Sequence, residues 1–180
     1  MKRTPAPTLS FHLHFVTTRT NRGRLLFRDP ALSQEFLEGL RELGQKHPFG
    51  LYAYVLMPDH VHLILRPQSG SITDLVRKIK SVTARRILAC LRQDKNSAVL
   101  ARLRKAQAGR KHHTFQVWQQ GFHTVELWSG WMVRKKIDYL HSNPVRKGLA
   151  SSTKDYSCSS FRAFHGLGES SVSLDEIPLD

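Results

Sequence analysis

The stretch MPDHVHLIL, Met57 to Leu65, sets His60 and His62 two residues apart in an otherwise apolar run. On an extended strand residues i and i+2 face the same side, so both imidazoles project together while Val61 points to the opposite face. Two neutral imidazoles presented this way can bind one divalent ion, or they can be two ordinary histidines with hydrogen-bond partners. His12 and His14 repeat the spacing within SFHLHFVTT, and for that pair the structural reading is preferred. A second group lies in DYLHSN, where Tyr139 and Asn143 are four apart. On a helix that spacing puts them on one face, offset from the apolar stripe of Val133, Ile137 and Leu140. A nucleophile and an oxygen ligand are then offered side by side. The bland alternative is a tyrosine packed on a sheet and an asparagine ending a helix before Pro144. Lys136, one turn before Tyr139, is read as a solvated helix lysine and stays outside the catalytic set.

The chemistry these residue types could support is attack by a tyrosine beside a bound metal ion. A free phenol has a pKa of about 10, so at neutral pH it is a weak nucleophile that needs help. A divalent ion polarising the group under attack would give that help, and histidine-plus-amide ligation leaves positions open on the metal for it. Mg²⁺ or Mn²⁺ is expected, with Mn²⁺ better suited to imidazole.

The elements that must position these residues can be read from pattern. SFHLHFVTT alternates as a first strand. DPALSQEFLEGLRELGQ opens a helix with Asp29 as N-cap and Pro30 at the first helical position, its Leu32, Phe36, Leu40 and Leu43 recurring at helical spacing. LYAYVLM and HVHLIL form a hairpin about Pro58 and Asp59. A capping-box pattern at Ser71 and Asp74 starts a second helix through Leu75, Ile79, Val82 and Ile87. Its other side carries Arg77, Lys78, Lys80, Arg85 and Arg86. KNSAVLARLRKAQAGRKHH is basic and partly helical, TFQVWQ reads as the fourth strand, and WSGWMVRKKIDYLHSNPV as a helix ended by Pro144. Strands and helices in this order predict an α+β fold, ferredoxin-like, with a mainly antiparallel sheet covered by helices. Residues 1–165 form one domain. Residues 166–180 are a polar, acidic tail, either mobile or adding a short edge strand.

The charge is the unusual bulk property. The 180 residues hold 28 Lys+Arg against 14 Asp+Glu, a formal net charge of +14, which points to a polyanionic partner and first to nucleic acid. The two cysteines, Cys90 and Cys158, form no paired or metal-binding motif, and no apolar stretch approaches a membrane span. A cytoplasmic protein without membrane contact is expected.

YAYVLMPDHVHLILRP and VWQQGFH, followed by KKIDYLHSNPVRKGL, resemble the single-tyrosine HUH transposases of bacteria, particularly the branch of REP-associated tyrosine transposases. The resemblance runs from about Phe11 to Phe164 and keeps the motifs in the family's order. It implies a ferredoxin-like catalytic domain that binds single-stranded or hairpin DNA and breaks one phosphodiester by tyrosine attack. By that resemblance His60 and His62 hold the metal, Asn143 is its third ligand and Tyr139 is the nucleophile. Insertion-sequence members often carry Gln where Asn143 stands. The resemblance also implies linkage of Tyr139 to the 5′-phosphate, leaving a 3′-hydroxyl free to reverse the step without ATP. Arg77, Lys78, Lys80, Arg85 and Arg86 are expected to line the DNA. The alternative is a domesticated protein of the same fold that binds repeat DNA without transposition. A histidine-triad hydrolase would need a third histidine where Ile64 stands, and no RNP1 motif supports an RNA-recognition domain. Monomer and homodimer both remain open.

Overall fold

The computed structural model describes residues 8–104 and 115–177, without the side chains of 8–11. Its elements run β1 (Thr8–Arg19), α1 (Pro30–Lys46), β2 (Phe49–Met57), β3 (His60–Pro67), α2 (Ile72–Gln93), α3 (Ser97–Leu103), β4 (His123–Ser129), α4 (Gly130–Arg146) and a short α5 (Phe161–Phe164). The sheet order is β2-β3-β1-β4 with every neighbour antiparallel. That is the ferredoxin-like arrangement, an α+β fold as the pattern predicts.

Local chemistry starts the helices where the sequence indicates. Asp29 accepts from the Ala31 amide with Pro30 at the first helical position, and Ser71 accepts from the Asp74 amide. Pro58 and Asp59 are the two residues between β2 and β3, and their carbonyls accept from the Phe27 and Thr20 amides. The hairpin tip is thereby tied to the end of β1.

Helices cover both sheet faces. Leu75, Ile79 and Ile87 of α2 join Phe36, Leu40 and Leu43 of α1 over Val61, Leu63 and Leu65. On the other face Val133, Ile137 and Leu140 of α4 pack with Leu13, Phe15, Val55 and Ile64. α1 and α2 approach closely at Gly39, where an added Cβ would lie 2.8 Å from the Thr83 methyl. Thr83 cannot easily yield, because its hydroxyl donates to the Ile79 carbonyl and accepts from the Trp118 indole.

Two expectations need correction. The fourth strand is His123–Ser129, not TFQVWQ. Phe115 and Trp118 make only isolated bridges, to Arg104 and Thr20, because Val117 and Trp118 are buried with α1 and α2, where Trp118 meets Phe27 and Phe36. The place beside β1 goes to HTVELWS, whose Leu127 and Ser129 alternate inward. Nor does Pro144 end the last helix, which continues to Arg146. In the final turn a proline forfeits one backbone bond, and Lys147 and Gly148, the latter at φ 66°, close the end onto Asn143 and Val145. The basic stretch beyond Arg104 lies outside the described residues until Phe115. From the acidic tail, Val172 is buried and Asp175 bonds the Leu51 amide and carbonyl. Among the described residues no helix is long and apolar enough to cross a membrane.

Candidate active site

β3 begins at His60, directly after the tethered turn, so His60 and His62 sit at one end of the sheet on the α4 face. Their rings are 4.9 Å apart between centroids. Each is held through Nδ1: His60 by Asp59 Oδ1 at 2.5 Å, His62 by Thr17 Oγ1 at 2.8 Å. Thr17 is placed there because it pairs with His62 across the β1–β3 ladder. Phe15, two residues back on the same face, stacks on the His62 ring at 5.3 Å and 19°. With both Nδ1 atoms engaged, both Nε2 atoms are the ones left for a ligand, the usual way a metal-binding imidazole is oriented. Burial, then the neighbouring His60, Lys136 and Arg19, push the His62 pKa down to about 3 against the opposing pull of Asp59. Its imidazole is therefore neutral at physiological pH, as coordination requires.

α4 brings Tyr139 to this point. Its ring lies edge-on to His62 at 5.8 Å and to Phe15 at 5.9 Å, and the residue stays 38% exposed. At 3.6 residues per turn, Lys136, Tyr139, Asn143 and Arg146 fall within an arc of about 80° on one flank of α4. Asn143 nevertheless differs from Tyr139 in burial, being only 4% exposed. It lies nearer the apolar stripe than simple face-sharing suggests, and its Nδ2 is a buried donor with no hydrogen-bond partner. Amide oxygen and nitrogen exchange places by a side-chain flip, which would turn an unpaired oxygen to the same spot. The donor set of two oriented imidazoles and an unsatisfied amide thus fits a divalent ion. Among the described residues no group of three His, Cys, Asp or Glu could hold one.

Several participants were not singled out from sequence: Phe15, Thr17, Arg19, Asp59 and Arg146. Arg19 pairs with Asp59 at 3.3 Å, so one carboxylate orients both His60 and an arginine at the site. Lys136, read as a solvated lysine, has its Nζ 4.9 Å from the Phe15 ring centre and 5.4 Å from that of Tyr139. The Arg146 guanidinium carbon is also 5.4 Å from the Tyr139 ring centre. The i−3 and i+7 spacings were the available signals.

The predicted DNA-binding residues lie elsewhere. α2 packs on the opposite sheet face from α4. Arg77 pairs with Asp74, Arg85 with Glu42, and Arg86 with Glu35 and Glu42. Lys80 donates to the carbonyls of Gln119 and Gly121, and Lys78 borders a smaller cleft beside His47 and Gln68. A groove of about 730 Å³ runs between α2 and the 115–121 segment, bordered by Arg77, Lys80, Arg85 and Arg92. The Gln119 amide donates to the Arg19 carbonyl, linking the groove to the sheet end that carries His60. His12 pairs with Glu126, whereas the Nδ1 of His14 is buried without a partner.

A ferredoxin-like sheet presenting an HxH strand beside a tyrosine-bearing helix defines a class, and residues 8–129 match the family model described as IS200-like transposases. The chain belongs to that family. A Haemophilus influenzae protein carrying the provisional name REP-associated tyrosine transposase is 24% identical over 130 residues, covering 71% of this chain and 67% of that one. A solved REP-associated tyrosine transposase, bound to a REP hairpin, superposes with a TM-score of 0.64 at 22% identity, covering 97% of this chain and 93% of that one, and shares its fold.

Proposed function

We propose that this transposase cuts and rejoins single-stranded or hairpin DNA through a covalent bond to Tyr139. The observation that carries the reading is the meeting of an exposed tyrosine ring with the His62 ring at 5.8 Å, His62 itself lying 4.9 Å from His60. Tyr139 Oη attacks the scissile phosphorus, the bond from phosphorus to the 3′-oxygen breaks, and the phosphate remains on the tyrosine by its 5′ side. The phenol gives up one proton and the departing 3′-oxygen takes one, so the exchange is proton-neutral. It is also nearly isoenergetic, and the 3′-hydroxyl of another strand can reverse it.

Thr17 and Asp59 fix the two imidazoles with Nε2 forward, and burial keeps His62 uncharged. His60, His62 and Asn143 would hold a divalent ion, Mg²⁺ or Mn²⁺, which when bound supplies charge stabilisation on the phosphate oxygens. DNA leaving the site continues toward the α2 groove. There Arg77, Lys80, Arg85 and Arg92 set a positive potential, although carboxylates already engage Arg77 and Arg85.

Tyr139→Phe removes only the attacking oxygen. Oligonucleotides tiling the gene's flanks, end-labelled and incubated with Mn²⁺, should give a denaturation-resistant adduct with the wild-type protein and none with the variant, at unchanged DNA affinity. Peptide mapping should place the adduct on Tyr139. An adduct on Tyr156, or cleavage surviving in the variant, sinks the mechanism. Binding without any cleavage by the wild-type protein would instead favour a repeat-binding protein of the same fold.

A further inference from the structure

Lys136 and Arg146 approach one aromatic ring from opposite ends. Lys136 is three residues before Tyr139 and Arg146 seven after it, yet Nζ and the guanidinium carbon both come within 5.4 Å of the ring centre. The Arg146 Cα lies about 10 Å further along the helix axis, so its side chain runs back over two turns to reach the ring. Among the described residues neither cation has an ion-pair partner, whereas Arg19, Arg77, Arg85 and Arg86 each hold a carboxylate. Contact with an exposed ring stabilises each of them only weakly. Two uncompensated cations beside one exposed phenol are better explained by an anion that arrives there.

Resting on the reading of Tyr139 as the nucleophile, we infer that Lys136 and Arg146 form a clamp on the scissile phosphate beside the attacking tyrosine. A phosphodiester carries one negative charge, and attack by the phenol concentrates more on its non-bridging oxygens. Fixed cations aimed at that charge stabilise the transition state more than the ground state. The clamp makes and breaks no bond; it receives charge. It also differs from the candidate metal ligands, His60 and His62 on β3 and Asn143 on α4, because its two groups carry a positive charge of their own to the phosphate.

The test uses the full chain with Mn²⁺ and the oligonucleotide that the wild-type protein cuts among those tiling the flanks, made with either a phosphodiester or a neutral methylphosphonate at the cut. On the phosphodiester, Arg146→Gln and Lys136→Gln should each slow adduct formation by roughly 100-fold, as loss of one transition-state donor does, and on the methylphosphonate by less than about threefold. Arg146→Lys should recover part of the loss. Melting temperatures confirm that each variant folds, and if Arg146→Gln does not, Lys136→Gln alone decides. Equal slowing on both substrates would mean that the cations only hold the ring, and overturns the clamp. So does no slowing on either. A wild-type protein forming no Tyr139 adduct on any oligonucleotide overturns the nucleophile reading and the clamp with it, whereas a wild-type adduct with indifferent variants overturns the clamp alone.

Discussion

The two basic helices of this protein use their charge differently. On α2, Arg85 and Arg86 reach across to Glu35 and Glu42 of α1, and Arg77 is taken by Asp74 on its own helix. On α4, Lys136 and Arg146 sit over the Tyr139 ring with no carboxylate partner among the described residues. A count of Lys and Arg cannot distinguish the two cases. Charge already matched by a neighbour adds little to the attraction of a polyanion, while unmatched charge near a reactive group is free to meet a phosphate. The α2 arginines therefore read mainly as fasteners between helices, and the α4 cations as equipment for the substrate.

If α1 and α2 are fastened as one unit, tightening their contact should cost the most. Gly39→Ala drives a methyl toward Thr83 Cγ2, whose hydroxyl is held by Ile79 and Trp118. Overpacking of this kind costs about 1–3 kcal/mol, which for a chain of this size lowers the melting temperature by roughly 2–4 °C per kcal/mol. Adduct formation by the protein that remains folded should be unchanged. A neutral substitution would show that the helices slide apart easily and that the α1–α2 pairs are incidental.

Acid should act on the same fastening, but less strongly. Hydrogen bonding from Lys46, and then from Arg85 and Arg86, draws the Glu42 pKa from its ordinary 4.5 down to about 2. A carboxylate whose folded pKa is depressed stabilises the fold fully above its unfolded pKa, and that contribution is lost as pH falls through the folded value. Wild-type stability should therefore fall between about pH 4.5 and 2 by more than that of Glu42→Gln, measured by urea midpoints across the window. Parallel curves would mean that the pairs are screened by solvent and fasten nothing.

Most of the frame was legible because it rests on local chemistry. Asp29 with Pro30, Ser71 with Asp74, and the Pro58–Asp59 turn each declare an element end without knowledge of the rest, and period-two spacing puts His60 and His62 on one face. β4 was missed because HTVELWS mixes polar residues into its alternation, while the more apolar TFQVWQ looked like the strand. Trp118 is buried by α1 and α2, a tertiary demand that no local pattern reveals. Thr17 and Phe15 acquire their places from the register Thr17↔His62, which depends on how two distant strands align. The pairing of α2 with α1 was hidden for a similar reason: Glu35 and Glu42 meet Arg85 and Arg86 only once two helices share a sheet face.

The finest test of the comparison is the salt dependence of DNA binding. On single strands each phosphate neutralised contributes about −0.7 to the slope of log K against log salt, so roughly five contacts give about −3.5. Lys136→Gln and Arg146→Gln should each make the slope shallower by about 0.7, one released phosphate apiece. Arg85→Gln should leave it nearly unchanged, because Glu42 already claims that guanidinium and, once Arg85 is gone, still keeps Lys46 and Arg86. Titrations by fluorescence anisotropy between low and moderate salt on a noncleavable oligonucleotide measure the three slopes directly. An equal loss from Arg85→Gln would mean that the α1–α2 pairs open when DNA arrives. The α2 stripe would then be a phosphate surface that carboxylates merely occupy in its absence, and the division of labour between the two helices would fail.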